Sequence, residues 1–243
     1  MNEQKNKNTK NTYKNKNEKP ETETGSPSLT GSIDAGLKES QTIRSPENPS
    51  RDFAFEVRPL QTDSAEMDQV YNLYQSAFPE YERKPFEMVL AGMKNGKMKT
   101  YSIFYDGRYA GLIFLIPGAD VDVLDYLAIH PAMRSHGLGA RALAWLKEDL
   151  SHPFVVEIES TFARKAVPDD FRRKDFYLRN GMKDCCLRIE LFSVEMELLS
   201  SRRPITFNEY YSTMQNYFGD QTDRWLSDKI QHKTEPADGC GKF

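Results

Sequence analysis

Large apolar side chains are sparse over the first fifty positions and then return in two rhythms, one of period two and one of three to four residues. FAFEVRPL, from Phe53, predicts a short strand closed by Pro59. Met67, Val70, Tyr71, Tyr74 and Phe78 then share one face of a helix that Thr62 or Asp63 can cap and Pro79 breaks. A second helix tolerates Pro85 in its first turn, carries Phe86, Val89, Leu90 and Met93 as its stripe, and stops at Asn95-Gly96. YSIFY and RYAGLIFLI flank Asp106-Gly107, a pair suited to a type I′ hairpin turn. Pro117-Gly118 returns the chain into a third strand of the same antiparallel meander.

That third strand opens the most informative stretch, Val121 to Leu150. Val121, Val123, Tyr126, Leu127 and Ile129 supply β-branched and aromatic content, and His130-Pro131 ends the ladder. Gly137 and Gly139 then precede a helix whose apolar positions are Leu138, Ala142, Trp145 and Leu146. Glycines let backbone approach a ligand, and the first amides of a helix lack internal partners, so this turn suits a phosphate or pyrophosphate, with the fork of Arg134 beside it. After His152-Pro153, FVVEIES predicts a strand parallel to the first by a right-handed crossover. The charged ARKAVPDD reads as a loop, FRRKDFYLRNGM as a helix stopped at Asn180-Gly181, and CCLRIELFSVEMELL as one long strand or a pair. Thr206 and Glu209 have capping-box spacing ahead of a last helix with Phe207, Tyr210, Tyr211, Met214 and Phe218 on one face, a stripe that reads as packing. The fold class predicted is α/β with a mixed sheet: an antiparallel meander followed by a βαβ crossover.

Composition divides the 243 residues. Residues 1–52 are rich in Asn, Lys, Glu, Thr, Ser and Pro and predict a disordered tail, residues 53–200 one domain, 201–230 a C-terminal helix packed on it, and 231–243 a flexible end. The first 20 residues hold six Lys against two Glu, although the whole chain has a net charge of −3. With only Tyr13 interleaved, this arm reads as a solvated tail, and no nucleic-acid partner is expected. No apolar signal segment opens the sequence and no window approaches the roughly 18 apolar residues of a membrane span. A soluble, cytoplasmic protein without a membrane partner is expected. Cys185, Cys186 and Cys240 have neither metal-ligand nor redox-motif spacing, and His130, His152 and His232 show no metal spacing, so no metal is expected. Monomer and homodimer both remain open.

Two nucleotide readings of the glycine turn compete. Gly137 to Ala142 fits G-x-G-x-x-A, with Glu159 placed 20 residues after Gly139. In a dinucleotide turn, however, the first glycine follows the strand directly, whereas here Pro131 to His136 intervene and an antiparallel meander precedes the unit. A Walker loop is excluded because no Gly-Lys-Ser/Thr follows.

The spacing R-x-x-G-x-G-A from Arg134 to Ala140, after a strand and His-Pro, resembles the acyl-CoA signature of the GNAT family of N-acetyltransferases. The likeness covers residues 53 to 200 in element order. FPEYERKPFE is similar to a turn common in bacterial members, and DFYLRNGM to the family's FY-x-x-x-G segment. The resemblance implies an acetyl-CoA site in which backbone amides of Arg134, Ser135, His136, Gly137, Leu138, Gly139 and Ala140 hold the pyrophosphate, and pantetheine pairs as a pseudo-strand with Leu127, Ala128 and Ile129. It also implies an edge amide near Ala128 or Ile129 as oxyanion donor, and Tyr177 as the acid that protonates the leaving thiolate. His136 stands where the family often has Lys or Arg, which would make CoA affinity modestly pH dependent.

A general base is sought among Glu80, Glu82, Asp125, Glu157 and Glu159, with Glu157 and Glu82 ranked first. The function expected is acetyl transfer from acetyl-CoA to a primary amine acceptor, a small molecule or a peptide or protein. The competing expectation is a catalytically silent CoA-binding or protein-interaction module of the same fold.

Overall fold

In the computed structural model, which describes residues 54–227, the chain runs β1 (Phe55–Pro59), α1 (Met67–Ala77), α2 (Phe86–Lys94), β2 (Lys99–Tyr105), β3 (Arg108–Ile116) and β4 (Asp122–Ile129). It continues through α3 (Leu138–Asp149), β5 (Phe154–Glu159), α4 (Pro168–Arg179), β6 (Lys183–Leu191), β7 (Val194–Ser200), α5 (Phe207–Phe218), α6 (Thr222–Trp225) and β8 (Leu226–Ser227). The expectations for residues 1–52 and 231–243, the basic arm, His232 and Cys240 among them, lie outside the described residues. One sheet orders the strands β1-β2-β3-β4-β5-β7-β6-β8; every neighbouring pair is antiparallel except β4 with β5.

Local chemistry explains most of these elements. Asp106 and Gly107 both take positive φ, 51° and 72°, as a type I′ turn demands, and the β2–β3 hairpin follows. Thr206 caps α5 as its spacing predicts: its hydroxyl accepts the Glu209 N–H at 3.3 Å, and the Glu209 carboxylate accepts the Thr206 N–H at 2.7 Å. No helix among the described residues is long and apolar enough to cross a membrane.

The structure departs from the sequence expectation where tertiary contacts overrule pattern. In α1 the buried set is Val70, Leu73 and Tyr74, whereas Tyr71 is 43% exposed. Neither Thr62 nor Asp63 caps α1; Glu66 holds the N-cap position without a side-chain bond. Helix α4 begins at Pro168, inside the expected loop, because the Asp170 carboxylate accepts the Val167 N–H at 2.8 Å and so satisfies a first-turn amide. The last strand segment is a hairpin. It turns at Phe192-Ser193, both at positive φ (49° and 65°), with neither glycine nor asparagine to announce the turn. β8, unforeseen, adds a further pairing to β6.

Two apolar layers sandwich the sheet. On one face Val70, Leu73, Tyr74, Val89, Tyr210 and Met214 bring α1, α2 and α5 onto Leu112, Phe114, Val123 and Tyr126. On the other, Leu138, Ala142, Leu143 and Leu146 seat α3 on Ile113, Leu115, Val156 and Ile158, with Phe176 and Tyr177 of α4 packed beside them.

Candidate active site

Strands β4 and β5 are joined by only two residue pairs, Asp122 with Phe154 and Val123 with Val155. The cause lies one strand away. Phe114 pairs with Tyr126 but Leu115 with Leu124, so Asp125 is an extra residue that bends β4 away from β5. Past this bulge the strands splay into a fork with unpaired edges.

Hydrogen-bond parity tells which groups line it. The His130 N–H donates to Ala110 O at 2.8 Å, so Ala128, two residues back, also turns its amide toward β3. Leu127 and Ile129 therefore face the fork. This corrects the expectation for Ala128, whose amide is engaged in the ladder and is no oxyanion donor. On β5, Ser201 N–H donates to Phe154 O and Ser160 N–H to Glu195 O, both at 2.9 Å. The main chain of Glu157 and Glu159 thus faces the fork from the opposite side.

The glycine turn stands at the mouth of this fork. Ser135 and Gly137 both adopt left-handed backbone, φ 68° and 69°, and α3 starts at Leu138 with Gly137 as an N-cap that has no side chain. The amides of Leu138, Gly139 and Ala140 are thereby uncapped, a preformed anion cradle. Arg134 is exposed; its Nε approaches Ile129 O at 3.4 Å, which ties the turn to the open strand edge. The His136 Nδ1 lies 2.8 Å from Arg134 O and 3.2 Å from Met133 O, and its ring sits 5.3 Å from that of Tyr105. The imidazole braces the turn through its Nδ1. The two glycines have different duties. A Cβ on Gly137 would meet nothing within 4 Å, so conformation is its reason, whereas one on Gly139 would lie 3.2 Å from the Phe176 ring, so α3–α4 packing is its reason.

Tyr177 is half-buried on the α3/α4 face beside Phe176, and it packs against the same apolar layer as Leu127, Ile129 and Met133. Burial pushes its hydroxyl up to about 12, against the lowering influence of Arg173; the Glu159 charge raises it further. Glu157 belongs to the opposite face. Its Oε1 accepts the Tyr210 hydroxyl of α5 at 2.5 Å, and burial, aided by the Asp125 charge, pushes its carboxyl up to about 7, while the Tyr210 bond and Lys84 pull it down. The apolar pattern assigns Tyr210 only to packing, because the polar end of a tyrosine escapes any pattern of apolar positions.

The other carboxylates separate clearly. Glu159 is ion-paired to Arg173, Asp125 is ion-paired to Lys84 at 2.5 Å, and Glu80 is exposed. Glu82 is half-buried on the short turn Glu80–Glu82; its carbonyl accepts the Tyr126 hydroxyl at 2.9 Å, and its charge is felt by Arg173. Among the described residues no cluster of His, Cys, Asp and Glu could hold a metal ion.

A two-faced fork with an anion cradle at its mouth can hold a phosphorylated ligand along an open strand edge. Residues 67–182 match the sequence model of the acetyltransferase (GNAT) family. That matched segment indicates an acetyl-CoA-dependent acyltransferase of the GNAT type. Among solved structures it is similar to a GNAT-family protein of Bacteroides thetaiotaomicron, with 22% identity over 66% of this chain and 94% of that one and a TM-score of 0.54. It is also similar to the ribosomal-protein-S18-alanine N-acetyltransferase of Escherichia coli (14% identity, 60% and 92% covered, TM-score 0.45). A third is a GNAT acetyltransferase of Elizabethkingia anophelis with acetyl-CoA bound (12%, 60% and 96%, TM-score 0.42). No curated protein sequence matches the chain.

Proposed function

We propose that the protein transfers the acetyl group of acetyl-CoA to a primary amine by direct attack while both substrates are bound. The observation that carries this reading is the placement of Glu157 and Tyr177 on opposite faces of the fork, the first held by Tyr210 and the second packed with Leu127 and Ile129; burial pushes the carboxyl up to about 7 and the hydroxyl up to about 12. Pyrophosphate would rest on the amides of Leu138, Gly139 and Ala140 with Arg134 alongside, and pantetheine would run along the open Leu127–Ile129 edge. The acceptor enters from the α1/α2/α5 side. There Glu157 takes a proton from its ammonium, directly or through water, and the free amine attacks the thioester carbonyl. Charge developing on the carbonyl oxygen meets the Leu127 N–H, the first fork-facing amide after the bulge. The thiolate departs toward α4, where Tyr177 protonates it.

A thiol-release assay with purified protein, acetyl-CoA and a panel of small-molecule and peptide amines tests the reading. Turnover of at least one amine is expected; CoA binding with no release on any amine would instead identify a silent module. Tyr177→Phe should lower kcat about 10²-fold, at the low end for acid catalysis because a thiolate with a pKa of about 8.5 is already a good leaving group. Gly137→Glu should raise the Kd for CoA more than about tenfold, since left-handed strain of about 1–2 kcal/mol adds to repulsion of the pyrophosphate. Unchanged CoA binding in that variant would overturn the assignment of the cradle.

A further inference from the structure

We propose that Lys84 is an internal acyl acceptor: its ε-amine stands where the acceptor amine must stand and takes one acetyl group from acetyl-CoA bound in the same chain. The inference rests on the reading of the fork given above.

A lysine in a charged helix–helix connection ordinarily reaches into water, and here the main chain is turned inward. The Lys84 N–H donates to the Tyr126 hydroxyl at 3.1 Å, the Tyr74 hydroxyl donates to Lys84 O at 2.9 Å, and Tyr126 in turn donates to Glu82 O. These bonds latch the connection onto β4 beside the bulge. The Nζ lies 2.5 Å from an oxygen of Asp125, the residue whose insertion opens the fork. It also lies 5.2, 5.6 and 5.9 Å from the ring centroids of Tyr126, Tyr217 and Phe218. A carboxylate flanked by aromatic faces is how an ammonium is recognised, and this one is occupied by the chain itself. The side chains are 11% and 5% exposed, so the ammonium is sheltered from bulk solvent.

Position relative to the donor completes the argument. The phosphate cradle at α3 lies beyond the C-terminal end of β4, and the open edge runs from Ile129 back to Leu127, toward Asp125. The thioester is the end of the cofactor remote from its phosphates, so it is directed at the closed end of the fork, where Lys84 and Glu157 lie close enough for the lysine charge to bear on the carboxyl. In the transfer the nitrogen–carbon bond forms at the carbonyl and the carbon–sulfur bond breaks. Two protons leave nitrogen: one ends on sulfur by way of Tyr177, and the other passes from Glu157 to water. The products are ε-N-acetyl-Lys84, CoA and one proton.

The full-length protein incubated with acetyl-CoA and no amine should gain the mass of a single acetyl group, mapped by peptide mass spectrometry to Lys84. The rate should not change on dilution, Tyr177→Phe should slow it, and Lys84→Arg, which keeps a cation beside Asp125, should abolish it. Solution acetylation favours exposed amines such as Lys94 and Lys165, so selectivity for a sheltered, ion-paired lysine marks transfer within the site. An unmodified Lys84 in a preparation that acetylates an external amine would overturn the inference and leave the activity standing. Label scattered over exposed lysines, at a rate that grows with protein concentration, would overturn it too. Absence of both Lys84 label and amine turnover would overturn the inference and the proposed activity together.

Discussion

Replacing Glu157 with glutamine is expected to lower kcat/KM by about 10²- to 10⁴-fold, the range general-base catalysis supplies, and to remove the acidic limb of the pH profile. In the parent, kcat/KM should rise with pH through about 7 as the Glu157 carboxyl ionises. Glutamine keeps an oxygen for the Tyr210 hydroxyl, so the bond from α5 survives and the loss reports on the proton acceptor. Stability supplies an independent check. The folded-state pKa of about 7 lies above the ordinary 4.5, so between those values the native chain retains a proton that the unfolded chain has released. Stability therefore falls as pH rises across that window. The glutamine variant, which never carries the buried charge, should match or exceed the parent in Tm at pH 8. A variant with parental kcat/KM would remove Glu157 from the chemistry.

The largest stability effect is expected at Glu197. This β7 carboxylate is 2% exposed, accepts the Thr161 N–H at 2.6 Å and its hydroxyl at 2.7 Å, and is ion-paired to Lys174 of α4. It fastens the start of the β5–α4 connection and the middle of the helix that presents Tyr177. Glu197→Ala leaves a sheltered ammonium and two Thr161 donors short of an acceptor. Removing one partner of a buried pair costs about 3–5 kcal/mol, and the lower figure applies because Asp184, 3.0 Å from Lys174, still holds the cation. At about 2–4 °C per kcal/mol for a domain of this size, Tm should fall about 6–12 °C in a thermal melt. A shift below about 2 °C would mean that Asp184 and solvent compensate fully.

Much of the architecture was legible along the chain, because it depends on near neighbours. The D-G turn, the Thr206–Glu209 box, the strand–turn–helix of the glycine segment and the Asn-Gly stops all act over a few residues, and each emerged as expected. Elements that depend on distant partners were misread or hidden. Tyr71 shares the apolar pattern of α1 but stays 43% exposed with its ring edge-on to Phe86, while Leu73 joins the buried layer, and the Phe192-Ser193 turn falls where β6 pairs with β7.

The candidate site divides along the same line. By itself the sequence determined the strand that feeds the turn, the left-handed glycine, the uncapped start of α3 and the neighbourhood of Tyr177 to the stop at Asn180-Gly181. Tertiary structure alone decided that the Asp125 bulge parts β4 from β5, that Leu127 and not Ala128 offers an amide to the fork, and that Tyr210, 53 residues away, holds Glu157. It also decided that Lys84 enters an aromatic and acidic niche instead of solvent. The physical reason is range: periodicity, capping and turn chemistry are properties of adjacent residues, whereas the basicity of a carboxyl and the direction of an edge amide are set by groups that only folding brings within a few ångströms.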